Sequence, residues 1–231
     1  MSLSEELSEE VASILSSRWT ERDGTTVPDD DDIKLGNDAV NLDATVLYAD
    51  LAESTELVTK YENWFAAEIY KAYLHCSAKV IRNKGGVITS YDGDRIMAVF
   101  IGDSKNTAAA RAALNINYCV SQIINPKLHA QYPKRSDFNV KQAVGIDTSQ
   151  LFIARTGIRG SNDLVWVGRS ANYAAKLCAL RKSNYASWIT ADVYNMLHAS
   201  AKVYDGKDMW QKDTWPEYGV TVYRSSWWSK P

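Results

Sequence analysis

The order of strand-like and helix-like patterns is the feature that most limits what this chain can fold into. A strand-like run, ATVLYAD at residues 44–50, precedes a helical stripe of apolar residues over 57–80. Two apolar runs joined by Asp92-Gly93 then predict a β-hairpin, because this dipeptide tolerates the positive φ of a tight turn. A second helix, further strands and a third helix over 169–181 follow. This order predicts an α+β domain with helices on a mixed or antiparallel sheet, not a doubly wound fold.

Length and charge exclude several classes of protein. The chain has 231 residues, with 26 Lys+Arg against 28 Asp+Glu and a net charge of −2, so it lacks the basic excess of proteins that bind nucleic acid polymers. No apolar stretch reaches the roughly 18 residues of a membrane span, and the amino terminus is acidic, unlike a secretory signal. We therefore expect a cytoplasmic protein with no membrane partner.

The first forty residues differ from the rest of the chain. An amphipathic helix pattern through about Trp19 is followed by a linker that contains the acidic run 29–32, which we interpret as a solvated loop. We predict two parts, an amino-terminal helix and linker over 1–40 and a single α+β domain over 41–231. Any metal site in that domain has to use carboxylates, because the histidines are far apart and the cysteines form no C-x-x-C pair.

Two aspartates are well placed for chemistry. Asp50 ends the first strand and Asp94 follows the hairpin turn, so both carboxylates project from one sheet edge if that strand lies beside the hairpin. Such a pair can hold Mg²⁺ or Mn²⁺ ions that clamp the oxygens of a phosphoryl transfer. The backbone amides of residues 52–55 would then meet phosphates at a helix N-terminus. The alternative is that these residues, including Ser54 and Thr55, serve only as helix caps and turn residues.

Three segments carry a resemblance to a known family: YADLAEST, GGVITSYDGDRIMAVF and VGRSANYAAKL. Their order and separation resemble the catalytic domain of class III nucleotide cyclases, which make 3′,5′-cyclic nucleotides from nucleoside triphosphates. The resemblance runs from about Asp43 to Tyr223 and implies a ferredoxin-like sheet flanked by helices. It also implies two divalent cations, Mn²⁺ or Mg²⁺, on Asp50, Asp94 and the backbone carbonyl of Leu51. The phosphates would bind near Ala52, Ser54 and Thr55.

The third segment implies two catalytic side chains. Asn172 matches the asparagine that orients the ribose. Lys176 stands four residues later, where the family has an arginine that steadies the developing phosphate charge. A lysine keeps the charge but lacks the planar fork of arginine, so Arg169 or Arg181 on the same helix could assist.

The resemblance also implies a head-to-tail homodimer. In the family, the metal aspartates and the asparagine helix of one active site come from different subunits. Ala171, Ala174 and Ala175 leave room for a close approach of another backbone, although small residues in a helix serve intramolecular packing as often.

Departures from the family pattern bear on the substrate. Purine cyclases read the base with Lys or Glu four residues before the second metal aspartate, and with Asp, Thr or Cys three residues before the glycine of the third segment. This chain has Ser90 and Val165 there, which disfavours a purine. Tyr48, on the same strand face as Asp50, and Arg95 instead resemble the pyrimidine pocket of the uridylate and cytidylate cyclases of bacterial anti-phage Pycsar systems.

An arginine donor favours uracil, which offers two carbonyl acceptors where cytosine offers one. We therefore expect UTP as the substrate and cyclic UMP as an anti-phage messenger, with CTP as the alternative. Two other interpretations stay open. The chain could be a catalytically silent cyclase-like domain that binds a nucleotide or a partner, since Glu53 stands where the family often has glycine. It could also be another palm-like two-metal enzyme, such as a dinucleotide cyclase, which the lack of a G-G-D-E-F-like turn disfavours.

Overall fold

The structure is a computed structural model that describes residues 1–180 and 184–231. Its α-helices are α1 (Leu3–Ser16), α2 (Ser54–Lys60), α3 (Asn63–Asn83), α4 (Lys105–Tyr118), α5 (Asn125–Gln131), α6 (Arg169–Leu177) and α7 (Ala191–Asn195). Its strands are β1 (Thr20–Asp23), β2 (Asp38–Leu51), β3 (Val87–Asp92), β4 (Arg95–Phe100), β5 (Gln142–Ile158), β6 (Ser161–Val167), β7 (Ser187–Thr190), β8 (Val203–Tyr204), β9 (Lys207–Asp208), β10 (Gln211–Trp215) and β11 (Val220–Ser225). A π-helical segment, Cys119–Ile124, connects α4 to α5.

Residue contacts divide the chain into two compact units. The larger unit comprises 44–149 and 169–231, and the smaller one comprises 1–43 and 150–168. The first segment of the smaller unit ends at residue 43, whereas the predicted boundary lies between residues 40 and 41. The hairpin of β5 and β6 belongs with the amino-terminal segment in this division.

The larger unit is built on a mixed sheet with the strand order β10-β11-β7-β5-β2-β4-β3. Strand β2 pairs antiparallel with β4, and β3 pairs antiparallel with β4, whereas β5 and β7 are parallel. The first strand therefore lies beside the hairpin, which is the condition for Asp50 and Asp94 to project from one sheet edge. The hairpin turn also forms as predicted, with Gly93 at φ +59° between β3 and β4.

Helices α3 and α4 cover one face of this sheet. On α3, Phe65, Ile69, Tyr73 and Val80 recur at helical spacing and are buried. The expected stripe included Phe65 and Val80, but its members Trp64 and Ala72 are exposed. They pack in one core with alternating strand residues such as Leu47, Ala49, Ile96 and Ala98 and with the small residues of α4, including Ala109 and Ala113. Burying a side chain such as Ile or Phe contributes about 1.5–3 kcal/mol each. This core holds the strands in register.

Two long elements differ from the sequence-based expectation. The helical stripe from 57 onward is split, because the chain becomes extended at Tyr61, whose ring packs at 5.2 Å from Phe65 and 5.1 Å from Phe138. The runs NVKQAVGID and LFIAR are expected as separate strands, but all of LFIAR and the QAVGID part of the first run lie in the single 17-residue strand β5. Strand β1 and the first residues of β2 were not expected, and they pair in parallel from Thr20 opposite Asp38.

The smaller unit contains α1, β1, β6 and the outer parts of β2 and β5. Its hairpin pairs Phe152 opposite Val167 through Ile158 opposite Ser161, and Arg155 donates to the Asn162 side chain at 2.7 Å. Helix α1 buries no residue. In the parts of the chain that the structure describes, no helix combines the length and apolarity needed to cross a bilayer.

Helix α6 lies directly on β5 at Gly145. A Cβ at this position would meet the backbone of α6, at 2.5 Å from the Cys178 nitrogen and closer still to the Ala174 carbonyl oxygen. Ala171 and Ala174 are themselves buried within the chain. Intramolecular packing therefore accounts for two of the three small residues of this helix.

Gly145→Ala should lower the free energy of unfolding by roughly 3 kcal/mol, because α6 must move away from β5 to admit one methyl group. Urea denaturation followed by tryptophan fluorescence measures the change. The control is Gly206→Ala, at an open turn with φ +72°, where left-handed strain alone should cost about 1 kcal/mol. Equal losses at the two positions would contradict the close packing of α6 on β5.

Candidate active site

One face of three adjacent strands carries Tyr48, Asp50, Arg95 and Ser90. Asp50 lies directly opposite Arg95, and Tyr48 lies opposite Met97, across the β2–β4 pair. Ser90 on β3 lies opposite Met97 as well. Residues directly opposite each other in an antiparallel pair point to the same side of the sheet. Residues from the first two of the three family segments therefore share one surface.

Asp50 is a buried carboxylate with a cationic neighbour. Its side chain is 5% exposed, and the Arg95 guanidinium donates from Nη2 to Oδ2 at 3.2 Å, with 34% of the Arg95 side chain exposed. Burial acts to lower the pKa of Arg95, but the charges of Asp50, Cys178 and Asp92 and the hydrogen bond to Asp50 outweigh it and raise the pKa overall. The guanidinium therefore stays charged beside the first predicted metal ligand.

Asp94 lies in the hairpin turn, directly before β4. Its Oδ2 is buried and has no hydrogen-bond partner among the described residues. Burial raises the pKa of the Tyr70 and Tyr73 phenols, and the charges of both Asp50 and Asp94 add to this rise. Both carboxylates thus raise the pKa of the same two phenols of α3, which is the result expected if Asp50 and Asp94 lie at one edge of the sheet.

Among the described residues, no group of three or more His, Cys, Asp or Glu side chains is placed to hold a metal. A metal site here would have two carboxylates as its protein side chains, and Mg²⁺ commonly combines such a pair with substrate phosphates. The partnerless Oδ2 of Asp94 is the kind of oxygen donor that a hard cation requires.

The segment after Asp50 enters α2 through a strained residue. Glu53 has φ +62°, the left-handed conformation in which glycine is favoured, and its carboxylate pairs with Lys141 at 3.1 Å. Glu53 is also the N-cap of α2, and its own side chain makes no capping hydrogen bond. The amide of Ala52 donates to the Lys141 carbonyl at 2.9 Å, whereas Ser54 and Thr55 form the first turn of α2.

The two predicted catalytic residues of α6 are exposed on one side of that helix. Asn172 and Lys176 are four residues apart, which is about one turn. The Lys176 ammonium donates to the Tyr218 hydroxyl and lies 4.8 Å from the centre of its ring. This hydrogen bond is the main cause of the raised pKa of Lys176. Lys176 therefore has a specific partner in Tyr218 in addition to solvent.

Arg169 has a structural partner that the sequence did not indicate. Its guanidinium donates to the fully buried Asp147 at 3.0 Å and to the Thr148 carbonyl at 2.8 Å. Burial raises the pKa of the Asp147 carboxyl, against the lowering effect of hydrogen bonds from Thr190 and Arg169. An aspartate within the apolar strand AVGID is the signal that could have identified this anchor. Arg181, the other predicted assistant, lies outside the described residues.

The positions expected to contact the base differ in exposure. Tyr48 is half-buried and its ring centre lies 6.0 Å from the Arg95 guanidinium carbon. Burial raises the pKa of the Tyr48 phenol, while the Arg95 charge opposes the rise. Ser90 is half-buried on β3, and Val165 is exposed on β6 in the smaller unit.

Comparison with known proteins identifies the family. A uridylate cyclase of Xanthomonas perforans is 52% identical over 229 residues, and one of Burkholderia cepacia is 48% identical over 229 residues; each alignment covers 98% of both chains. The chain belongs to the uridylate cyclase family. It is therefore a nucleotide cyclase by descent. No established family profile matches the sequence.

Solved structures agree on the fold of this uridylate cyclase family member. A bacterial light-regulated adenylyl cyclase matches with a TM-score of 0.70 at 21% identity, over 83% of this chain and 53% of that chain. The adenylyl cyclase CyaB from P. aeruginosa matches with a TM-score of 0.65 at 18% identity, over 81% of this chain and 95% of that chain. The architecture is that of a class III cyclase catalytic domain, as the three sequence segments predict.

Replacing Arg95 tests the ion pair with Asp50. Arg95→Met keeps an apolar stem but removes the charge beside a buried carboxylate, so it should lower the free energy of unfolding by about 1–2 kcal/mol at neutral pH. The control is Lys60→Met, which breaks the exposed pair with Glu56 and should cost less than about 0.5 kcal/mol. Urea denaturation measures both, and equal losses would mean that Arg95 is merely a solvated residue.

Proposed function

We propose that this chain converts UTP to 3′,5′-cyclic UMP and pyrophosphate. The observation that carries the proposal is the shared strand face on which Tyr48 and Arg95 lie beside the Asp50 carboxylate. A phenol and a guanidinium suit a small base with carbonyl acceptors, and uracil presents two of them. The names of the relatives that are 52% and 48% identical support the same substrate.

The site fits divalent cations, Mn²⁺ or Mg²⁺. Asp50 and Asp94 would hold them, with the backbone carbonyl of Leu51 as a further oxygen ligand, and the buried partnerless Oδ2 of Asp94 supports this assignment. When bound, the ions would lower the pKa of the ribose 3′-hydroxyl and offset the charge of the phosphates. We propose two ions per site.

In the proposed reaction, the 3′-oxygen of UTP attacks the α-phosphorus in line. The O3′–P bond forms, the bond to the bridging oxygen of the β-phosphate breaks, and pyrophosphate leaves while the hydroxyl proton passes to solvent. Asn172 orients the ribose, and the Lys176 ammonium, raised in pKa by Tyr218, remains charged and stabilises the negative charge at phosphorus. Arg95 donates to the base. Most of the rate comes from positioning and electrostatics.

We further propose a head-to-tail homodimer in which one subunit supplies Asp50 and Asp94 and the other supplies Asn172 and Lys176. Asn172 and Lys176 are both exposed on α6. This exposure supports the arrangement, because side chains that serve a neighbour's active site must be accessible from outside their own chain. We also propose a cytoplasmic location and a role in anti-phage signalling, which rest on the resemblance to anti-phage pyrimidine cyclases.

Product analysis tests the substrate directly. Incubation of the full chain with each of the four nucleoside triphosphates and Mn²⁺ should give cyclic UMP from UTP, identified by mass, with at least about tenfold lower turnover of the others. Cyclic CMP as the main product would make the chain a cytidylate cyclase. No product from any triphosphate, under conditions where a relative is active, would favour a silent binding domain.

Asp94→Asn should reduce cyclic UMP formation by at least about a thousandfold, because the amide cannot replace an anionic metal ligand. Asp92→Asn is the matched control on the same turn, where the carboxylate is exposed, and it should keep activity within about threefold. Rates are measured with saturating UTP and Mn²⁺, and circular dichroism verifies the fold. Near-normal turnover of the Asp94 variant would refute the metal assignment.

Mixing inactive chains tests for shared sites. Equal amounts of Asp50→Ala and Asn172→Ala chains should recover about 25% of normal activity, since half of randomly paired dimers hold one intact site out of two. Each variant alone, at the same total concentration, is the control and should remain inactive. Subunit exchange is followed with chains that carry different fluorophores, and no recovery despite exchange would mean that each site belongs to one chain.

A further inference from the structure

Helix α1 presents an apolar stripe that no described residue of the chain buries. Leu3, Leu7, Val11 and Ile14 recur at helical spacing and are between 50% and 70% exposed, and the helix buries none of its 14 residues. A capping box of Ser2 and Glu5 begins the helix, so its amino terminus is well defined. An amphipathic helix derives most of its stability from packing its apolar face. We therefore expect this stripe to bind a partner surface.

The charges of α1 restrict what that surface can be. Residues 1–17 contain four glutamates, Glu5, Glu6, Glu9 and Glu10, and no lysine or arginine. Two copies of α1 would repel each other if they paired, and an anionic membrane would repel the helix too. Glu6 and Glu10 flank the apolar stripe on one side by helical geometry, whereas Glu5 and Glu9 lie on the opposite face. The complementary surface is therefore an apolar groove with a basic rim.

Such a groove exists in the larger unit between α3 and the chain segment 123–128. This α3–α5 groove has a volume of about 520 Å³, and its floor is formed by the apolar side chains of Ile69, Cys76, Ile124 and Leu128. Lys71, His75 and Lys127 line its rim, and the one acidic lining residue, Glu68, accepts a hydrogen bond from the Tyr132 hydroxyl. Ile123 is 40% exposed at its edge.

The basic row of α3 and the stripe of α1 match in length. The exposed basic residues of α3 continue past the groove as Lys79 and Arg82, so Lys71 and Arg82 lie eleven positions apart, or about 16 Å along the helix. Leu3 and Ile14 on α1 are also eleven positions apart. Helix-in-groove docking uses apolar anchors at this periodicity, with charges at the rim setting orientation and partner.

We propose that α1 of one chain docks in the α3–α5 groove of a second copy of the chain. Leu7 and Val11 enter the apolar floor, and Glu6 and Glu10 face the basic rim. This contact is separate from the proposed sharing of active sites, because neither the groove nor α1 contains a candidate site residue. Its test requires no turnover, so its failure and the failure of the proposed reaction are distinguishable.

Cysteine trapping between two chains tests the docking. All chains carry Cys76→Ser. One population adds Leu7→Cys and the other adds Ile123→Cys, with tags of different size. After mixing and mild oxidation, the expected result is a mixed cross-linked dimer on a non-reducing gel. Each chain has one introduced cysteine, so an intramolecular link cannot produce this band. Glu9→Cys, on the opposite face of α1, replaces Leu7→Cys as the control and should react about tenfold more slowly.

Either of two other outcomes overturns the proposal. One is the absence of a mixed band above the Glu9→Cys control. The other is a dominant Leu7→Cys homodimer, which would mean that α1 pairs with itself.

A charge exchange separates docking from general damage to the fold. Lys71→Glu with Lys127→Glu in the groove chain should slow formation of the mixed dimer by about tenfold, and Glu6→Lys with Glu10→Lys in the helix chain should restore the rate within about threefold. Loss without restoration would contradict the predicted orientation of α1 in the groove and overturn the proposal. Raising the salt concentration should weaken the native pairing in parallel.

Discussion

The antiparallel register of β2 on β4 is the constraint on which the candidate site depends. It sets Asp50 opposite Arg95 and Tyr48 opposite Met97. Because side chains alternate between the two faces of a strand, a slip of one residue would turn Asp50 into the core beneath α3. The register is held by the opposite face, where Leu47 and its neighbours are fully buried. The apolar pattern that builds the core thus also assembles the charged surface.

Asp50 is both buried and negatively charged, and burying a charge costs free energy unless an opposite charge lies nearby. The Asp50 carboxylate is nearly buried, and the adjacent Arg95 guanidinium offsets part of the cost of removing it from water. The same guanidinium lies near the Tyr48 ring. One arginine therefore links the proposed metal ligand with the proposed base contact.

Sequence reasoning succeeded where local chemistry is strong and short in range. The hairpin at Gly93 and the end of α3 before Gly85, at φ +80°, follow from the permissive backbone of glycine. It failed where tertiary packing overrides a local pattern. The break between α2 and α3 depends on the packing of Tyr61 against Phe138, a residue far along the chain. The continuity of β5 depends on neighbouring strands that pair along its whole length.

The sequence by itself determined the class of fold, the family motifs and the positions of Asp50, Asp94 and Asn172, because these follow from periodicity and from residue types at short spacing. Only the tertiary structure decided which charges meet. The pairing of Arg95 with Asp50, the commitment of Arg169 to the buried Asp147, and the Tyr218 hydroxyl against Lys176 join distant segments. Such contacts are set by strand register and helix packing, which no local pattern encodes.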